Sequence, residues 1–191
     1  RVSSARFLMA SVTKKSLPTV SIGLFVYNGD KAIGLAIESY LAQTYSDFEL
    51  IISDNASNDR TEEICRSYAE QDERIRYVRQ KENIGANKNI QFVLQQSKCE
   101  FFMWATGDDF RSPGYIEENL KILNENPECA FSSAPNCYEG DEGDLRKQHH
   151  FSLEGPLYDR LSGFLVHSWN SHACFYALIR REFLTGRSDL F

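Results

Sequence analysis

Short apolar runs rich in β-branched and aromatic residues alternate with segments of helical periodicity along most of this chain. The runs are residues 19–28, 48–55, 74–80, 101–105 and 129–134. Between the first two, Ile33, Ile37 and Tyr40 recur at the spacing of one helix face. The first run lacks strict alternation, which predicts a strand buried on both faces. This order predicts an α/β fold with a mostly parallel sheet, covered by helices on both faces.

Capping signals mark further helices between the runs. Asp59 followed by Glu62 is typical of a helix start, and Pro113 opens a helix that carries Ile116. A third helix carries Ile90 and follows the polar segment ENIGANKN. We expect residues 138–150 to form an exposed loop, 157–166 a helix and 172–181 a last strand.

Three regions follow from this pattern. Residues 1–18 are basic and polar with a short apolar patch, which indicates a flexible leader or, alternatively, a weak membrane-surface segment. Residues 19–135 form the regular α/β region, and residues 136–191 are less regular. Because the chain ends just after a helix start with no closing signal, we expect it to be truncated there.

Bulk properties exclude some functions. The formal net charge is −6 and no Lys/Arg run stands out, which argues against non-specific nucleic-acid binding. The five cysteines are scattered without a CxxC pair, as in reduced cytosolic proteins. No apolar run approaches the roughly 20 residues of a membrane span.

Polar groups gather where the predicted strands end. In an open parallel sheet, ligands bind beyond the carboxyl ends of the strands. The groups that follow the four strands are Val26, Tyr27 and Asn28; Asp54 and Asn55; Asn83, Gly85 and Lys88; and Asp108 and Asp109. If the strands are parallel, these groups converge on one edge of the sheet.

Asp108 and Asp109 are the strongest candidates for chemistry. Adjacent carboxylates at the end of a buried strand suit a hard divalent cation, Mg²⁺ or Mn²⁺, that keeps positions open for phosphate oxygens. The alternative is that they cap the next helix or form an Asx turn. The buried strand and its parallel neighbours favour the metal.

The other candidates have structural alternatives. Asp54 could only close its strand, Tyr27 could be core packing, and Lys88 could be solvated. His172 stands at the start of the last predicted strand and could face the cleft. The remaining three histidines have no metal-ligand spacing.

Four motifs in this order, VSIGLFVYN, LIISDNASNDRT, ENIGANKN and WATGDDFRSP, resemble those of inverting family-two glycosyltransferases with a GT-A fold. The resemblance is clear over residues 19–125 and extends to CFYALIRREFL. It implies a nucleotide-sugar-binding region at 19–135 and an acceptor-side region at 136–191.

The resemblance also assigns residues. Phe25, Val26, Tyr27 and Asn28 would lie along the nucleotide base, and Asp54 would bind the base. Further nucleotide contacts would come from Asn83, Gly85, Lys88, Gly107 and Asp109. Asp108 matches the metal-binding aspartate, whereas the first aspartate of the family's DxD motif is replaced by Thr106, which puts the ribose contact in doubt.

The implied reaction is metal-assisted sugar transfer, with inversion, from a nucleotide-diphosphate sugar to an acceptor hydroxyl. A UDP-sugar donor, a saccharide or lipid-linked saccharide acceptor and a role in polysaccharide or cell-envelope synthesis are expected. We expect a cytoplasmic protein, peripheral on the inner membrane face if attached at all. The general base is expected beyond Phe191. Two alternatives remain: a sugar nucleotidyltransferase and a non-catalytic nucleotide-sugar-binding module.

Overall fold

Strands and helices alternate from the first strand to the fourth helix, as the sequence predicts. The computed structural model describes residues 18–134, 137–139, 145–147 and 175–185. Its elements are β1 (Val20–Val26), α1 (Ile33–Leu41), β2 (Phe48–Asp54), α2 (Thr61–Gln71), β3 (Ile75–Arg79), α3 (Ala86–Gln96), β4 (Phe101–Thr106), α4 (Tyr115–Glu125), β5 (Phe131–Ser132), β6 (Cys137–Glu139), β7 (Leu145–Lys147), β8 (Leu178–Arg180) and α5 (Glu182–Thr185). All five apolar runs therefore form strands, although β5 is much shorter than its run.

Six of the strands form one sheet in the order β3–β2–β1–β4–β8–β5. The strands β3, β2, β1 and β4 are parallel to one another. β8 is antiparallel to both β4 and β5. The predicted last strand is therefore confirmed as a strand, but it is limited to Leu178–Arg180 and runs against the rest of the sheet. The prediction of a mostly parallel sheet holds.

The segment that follows β5 departs from the prediction. Instead of an unbroken exposed loop over 138–150, β6 and β7 pair antiparallel, with Cys137 opposite Lys147. Each strand is only three residues long, too short for its periodicity to be recognised in the sequence. The predicted helix at 157–166, residues 1–17 of the leader and His172 lie outside the described residues.

Helices cover both faces of the sheet. On one face, Ile37 of α1, Cys65 of α2 and Ile116 of α4 pack against the strands in one buried cluster. On the other face, Val93 of α3 packs against Phe102 of β4 in a second cluster. The strand β1 lies between the two clusters and is buried along nearly its whole length, as predicted.

The central strand needs glycine at position 23. A Cβ atom there would lie 2.7 Å from a ring carbon of Phe102 and 2.8 Å from Cγ2 of Val93. Real Cβ atoms do not approach other atoms so closely, so glycine allows α3 and β4 to pack tightly against β1.

Candidate functional site

A cleft with a volume of about 590 Å³ opens at the carboxyl ends of β1 and β4. The parallel register places Val26 beside Asp54 and Phe25 beside Thr106, so three strand ends meet at this edge. The lining residues are Phe25, Val26, Tyr27, Asn28, Gly29, Asp30, Lys31, Ala32, Asn55, Asn83, Ala86, Asn89, Thr106, Gly107 and Asp108. The cleft lies where ligands bind in open parallel sheets.

Most of the residues singled out in the sequence line this cleft. They are Phe25, Val26, Tyr27, Asn28, Asn55, Asn83, Gly107 and Asp108. Four others, Asp54, Gly85, Lys88 and Asp109, are not part of its lining. Sequence reasoning missed Asp30, Lys31 and Asn89, although each lies within or next to a motif segment.

Tyr27 is half-exposed, with 49% of its surface accessible, so the core-packing alternative for this residue is wrong. The ring lies at the end of β1, beyond the buried part of the strand. An exposed aromatic ring at a cleft is available to stack on a flat ligand group. Lys88 is exposed on α3, in agreement with the solvated alternative.

The loop after β1 is fixed by side chains of the loop after β2. The backbone N–H of Asn28 donates to Ser57 Oγ at 2.9 Å, and that of Gly29 donates to Thr61 Oγ1 at 2.8 Å. In return, Asn28 Oδ1 accepts from the backbone N–H of Asn58 at 2.9 Å. Asn28 itself has a left-handed backbone with φ of 52°, which asparagine tolerates better than most residues. The cleft wall is therefore preformed by neutral hydrogen bonds.

Asp59 completes this connection. Its carboxylate accepts hydrogen bonds from the backbone N–H of Asp30 and from both the backbone N–H and the hydroxyl of Thr61. Burial acts to raise the pKa of Asp59, but these hydrogen bonds to the charged form outweigh it and lower the pKa below its ordinary value of 3.8. The ionised carboxylate thus ties the β1 loop to the start of α2.

Asp54 is buried under the cleft wall with no accessible surface. One carboxylate oxygen accepts from the backbone N–H of Ser57 at 2.9 Å, and the other accepts from the Tyr77 hydroxyl at 2.7 Å. Arg79 Nε lies 3.8 Å from the second oxygen and 2.8 Å from Glu62, with which it pairs. Burial and then the Asp54 hydrogen bond raise the pKa of the Tyr77 hydroxyl. Every contact found for this carboxylate supports the loop rather than facing the cleft.

Amide side chains form the floor of the cleft. Asn55 Nδ2 donates to Asn83 Oδ1 at 2.9 Å, and Asn55 Oδ1 accepts from the backbone N–H of Ile84 at 2.9 Å. Asn89 exchanges hydrogen bonds with Ser53, accepting from its hydroxyl and donating to its carbonyl oxygen. These bonds hold the ENIG segment and α3 against the end of β2.

The turn after β4 brings Asp108 to the cleft. At Gly107, an added Cβ atom would lie 3.0 Å from Val26 Cγ2 and 3.2 Å from Ile33 Cδ1, so a larger residue would push the turn away from β1. No hydrogen bond or ion pair from the described residues engages the Asp108 carboxylate. Within the same residues, no three His, Cys, Asp or Glu side chains are arranged to hold a metal ion.

This donor set still fits a hard divalent cation that is held in part by its ligand. Mg²⁺ and Mn²⁺ prefer oxygen atoms, and Mg²⁺ is usually bound through one or two carboxylates together with phosphate oxygens and water. Asp108 offers one such carboxylate on the cleft side of the turn. A fully protein-made metal cage is therefore not needed at this site.

Comparisons with known proteins agree with this geometry. The sequence profile of Glycosyl transferase family 2 matches residues 21–186. An uncharacterized glycosyltransferase of Rickettsia typhi is 40% identical over 108 residues, which cover 56% of this chain and 33% of that protein. The GalNAc(5)-diNAcBac-PP-undecaprenol beta-1,3-glucosyltransferase of Campylobacter jejuni is 30% identical over 140 residues, covering 73% of this chain and 44% of that protein.

A solved structure with a similar fold is the mannosyltransferase PcManGT from Pyrobaculum calidifontis, in complex with GDP-Man and Mn²⁺. It superposes with a TM-score of 0.62 over 89% of this chain and 46% of its own, at 19% identity. At that identity the similarity concerns the fold, and it confirms the predicted GT-A fold. The present chain spans about a third of the length of its Rickettsia typhi relative.

Proposed function

Because the chain belongs to glycosyl transferase family 2, we propose that it transfers a sugar from a nucleotide-diphosphate sugar to an acceptor hydroxyl, with inversion. The observation that carries this proposal is the cleft at the carboxyl ends of the strands, with Asp108 at the end of β4 and the exposed Tyr27 at the end of β1. An aromatic ring and a carboxylate at one cleft match the two parts of such a donor, a flat base and a metal-bound diphosphate.

The nucleotide would lie along the end of β1. Phe25, Val26, Tyr27 and Asn28 line that side of the cleft, and Tyr27 has its ring accessible for stacking on the base. Asn83 and Gly107 supply further contacts. Since both carboxylate oxygens of Asp54 accept hydrogen bonds within the protein, we propose that Asp54 orients the nucleotide site through the loop that it holds.

The diphosphate end would lie toward Asp108. Asp108 would hold Mn²⁺ or Mg²⁺ there, and a bound cation would neutralise the negative charge that develops on the leaving diphosphate. Lys88, Gly85 and Asp109 are proposed to contribute from outside the cleft lining, Lys88 as a point charge toward the phosphates. The hydrogen-bonded loops reduce the motion needed when the donor binds, which favours orientation of the reacting sugar.

A carboxylate general base should take the proton from the acceptor hydroxyl. Its expected position beyond Phe191 remains a prediction. The alternative candidates for this base are Glu154, Asp159 and Asp189, and all three lie outside the described residues. Glu182, by contrast, starts the short helix α5 and is exposed, as expected of a helix-start charge.

The acceptor is proposed to be a saccharide or a lipid-linked saccharide. The Campylobacter jejuni relative is named for an acceptor linked to undecaprenyl diphosphate, which supports this class of acceptor. A role in polysaccharide or cell-envelope synthesis is proposed with it. None of the helices in the described part of the chain combines the length and apolar character that crossing a bilayer requires. We propose a cytoplasmic location, with peripheral contact at the inner membrane face for a lipid-linked acceptor.

A thermal-shift panel tests the donor site. UDP, GDP and dTDP and their sugars are added with and without Mn²⁺, and a bound ligand raises the unfolding temperature by mass action. We expect one base to be preferred and the shift to require the metal. Release of free sugar from the preferred donor supports an enzyme, whereas binding without any release favours the binding-module alternative. No shift with any nucleotide in Mn²⁺ would overturn the proposed donor site.

A further inference from the structure

Arg111 follows the Asp108–Asp109 turn closely in sequence, and its cationic side chain lies beside two aromatic rings. The guanidinium carbon of Arg111 is 5.4 Å from the ring centre of Tyr115 and 5.6 Å from that of Tyr176. The two tyrosines are themselves connected, since the Tyr115 hydroxyl donates to the carbonyl oxygen of Tyr176 at 3.0 Å. Arg111 therefore lies between α4 and the segment that leads into β8.

The backbone holds Arg111 in this position. Its N–H donates to Ser39 Oγ of α1 at 3.3 Å, and Gln43 Nε2 donates to the carbonyl oxygen of the next residue, Ser112, at 2.8 Å. Gln43 Oε1 in turn accepts from the backbone N–H of Ile116 at 3.1 Å. The segment between the Asp108–Asp109 turn and α4 is thus held against α1, and these hydrogen bonds restrict the movement of the Arg111 backbone.

In the described ranges, Arg111 forms no ion pair with an acidic side chain. Its Nη1 donates to the carbonyl oxygen of Phe110, and its guanidinium also interacts with the Tyr115 side chain. Within the same residues, the buried Nε of Arg111 and the hydroxyl of the fully buried Tyr40 have no hydrogen-bond acceptor. Two buried donors without an acceptor are unusual, and they favour negative charge nearby.

The charges of Arg111 and of the Asp108–Asp109 turn act on the same tyrosine hydroxyl groups. Burial raises the pKa of Tyr176, the charges of Asp109 and Asp108 raise it further, and Arg111 opposes them. Burial also raises the pKa of Tyr40, where Arg111 opposes burial and Asp109 adds to it. Asp108, Asp109 and Arg111 all act on Tyr176, and Asp109 and Arg111 also act on Tyr40, in keeping with the Tyr176 ring centre lying 5.6 Å from the guanidinium carbon of Arg111.

We propose that Arg111, fixed between Tyr115 and Tyr176, is a positioning residue that supplies a second positive charge to the diphosphate end of the donor site. This inference rests on the proposed function. A divalent cation at Asp108 balances the two negative charges of the bound donor, but the departing nucleoside diphosphate gains a third, and Arg111 is a fixed charge that follows the same turn. Its partial burial makes that charge act more strongly than an exposed one would.

Removing the positive charge of Arg111 should weaken the binding of an anion but not that of a cation, and this difference provides the test. Calorimetry on Arg111→Gln compares three ligands: Mn²⁺ alone, the diphosphate that the panel selects from UDP, GDP and dTDP, and the matching nucleoside. In Mn²⁺, affinity for the diphosphate should fall about tenfold, as expected for a lost charge several ångströms away. Affinity for the nucleoside should not change, and binding of Mn²⁺ alone should stay equal or become tighter.

Controls separate charge from structure. Lys121→Gln removes an exposed charge on α4 and should leave all three affinities unchanged. Arg111→Lys keeps the charge and should stay within about threefold of the parent for the diphosphate. If Arg111→Gln does not fold, Arg111→Lys alone decides, because a tenfold loss there would show that charge is not what matters.

Three results would overturn the inference: an unchanged diphosphate affinity in Arg111→Gln, an equal loss for the nucleoside and the diphosphate, or weaker binding of Mn²⁺ alone. A parent protein that binds none of the nucleotides in Mn²⁺ would instead overturn the proposed function itself.

Discussion

Two neighbouring carboxylates, Asp108 and Asp109, follow β4 in different surroundings. Asp108 is exposed and lines the cleft, whereas Asp109 is partly buried, is not part of the lining and adds to burial in raising the pKa of the buried Tyr40. Like charges side by side repel, so each carboxylate is better accommodated near a source of positive charge. The proposed metal would provide such a charge for Asp108.

Asp108→Asn should remove the metal dependence of nucleotide binding while the fold survives. The amide keeps the size of the side chain but loses the charge that binds a hard cation. Calorimetry with the preferred nucleoside diphosphate, with and without Mn²⁺, measures the effect. Asp30→Asn is the matched control at the same cleft and should keep the metal response. An unchanged Mn²⁺ dependence in Asp108→Asn would disprove the metal assignment.

Asp54→Ala should destabilise the protein by about 2 to 4 kcal/mol, because the buried N–H of Ser57 and the hydroxyl of Tyr77 both lose their acceptor. Urea unfolding gives the change in free energy. Tyr77→Phe, which removes one of the two donors, should cost less. Nucleotide affinity should fall in Asp54→Ala because the Ser57 loop loosens. A variant with parental stability but lost nucleotide binding would mean that Asp54 contacts the ligand directly.

At the level of elements, the loops that follow β1 and β2 behave as one unit. Three consecutive backbone N–H groups, those of Asn28, Gly29 and Asp30, donate to side chains of the second loop and of Thr61, the first residue of α2. These contacts connect the base side of the cleft to the start of α2. The conformation of the cleft wall therefore depends on the hydrogen bonds between these two loops. A substitution in the loop after β2 should change the conformation of the loop after β1.

Acid should weaken this contact through Asp59. Its pKa is lower in the folded protein than the ordinary value of 3.8, so its contribution to stability is present above that value and is lost as pH falls through the folded pKa. Asp59→Asn should therefore be less stable than the parent at pH 6, and the difference should shrink toward pH 3. Unfolding by urea across this range is the measurement. A difference that stays constant with pH would contradict the assignment.

At the level of the whole molecule, two buried clusters meet across a central sheet. One joins β1 to α1, α2 and α4, and the other joins the sheet to α3 and the segment before β8. The cleft forms at the carboxyl ends of β1, β2 and β4, which lie between these two clusters. Packing between the layers therefore determines how well the site is aligned.

Gly23→Ala tests the packing of the second layer. Its new methyl group would lie within 2.9 Å of Phe102 and Val93, so we expect a loss of about 1 to 3 kcal/mol in the free energy of unfolding. Gly34→Ala on α1 is the matched control, since its nearest neighbour would be 3.6 Å away and alanine favours the helix. That control should be neutral or stabilising. Equal stability of Gly23→Ala and the parent would show that α3 adjusts freely.

The sequence by itself determined the elements and the edge at which they meet. Apolar runs and helical periodicity are local properties, so β1 to β4 and the helices between them could be read from residues close together in the chain. The parallel arrangement then implied that Tyr27, Asn83 and Asp108 would gather at one edge, and the cleft contains all three.

Only the tertiary structure decided how partners distant in sequence pair. It inserted β8 antiparallel between β4 and β5, turned the Asp54 carboxylate inward to Tyr77 while Asn55 lines the cleft, and brought Tyr40 and Tyr176 to Arg111. No local pattern encodes these contacts. They depend on how the layers pack and on which buried polar groups can satisfy one another once the chain has folded.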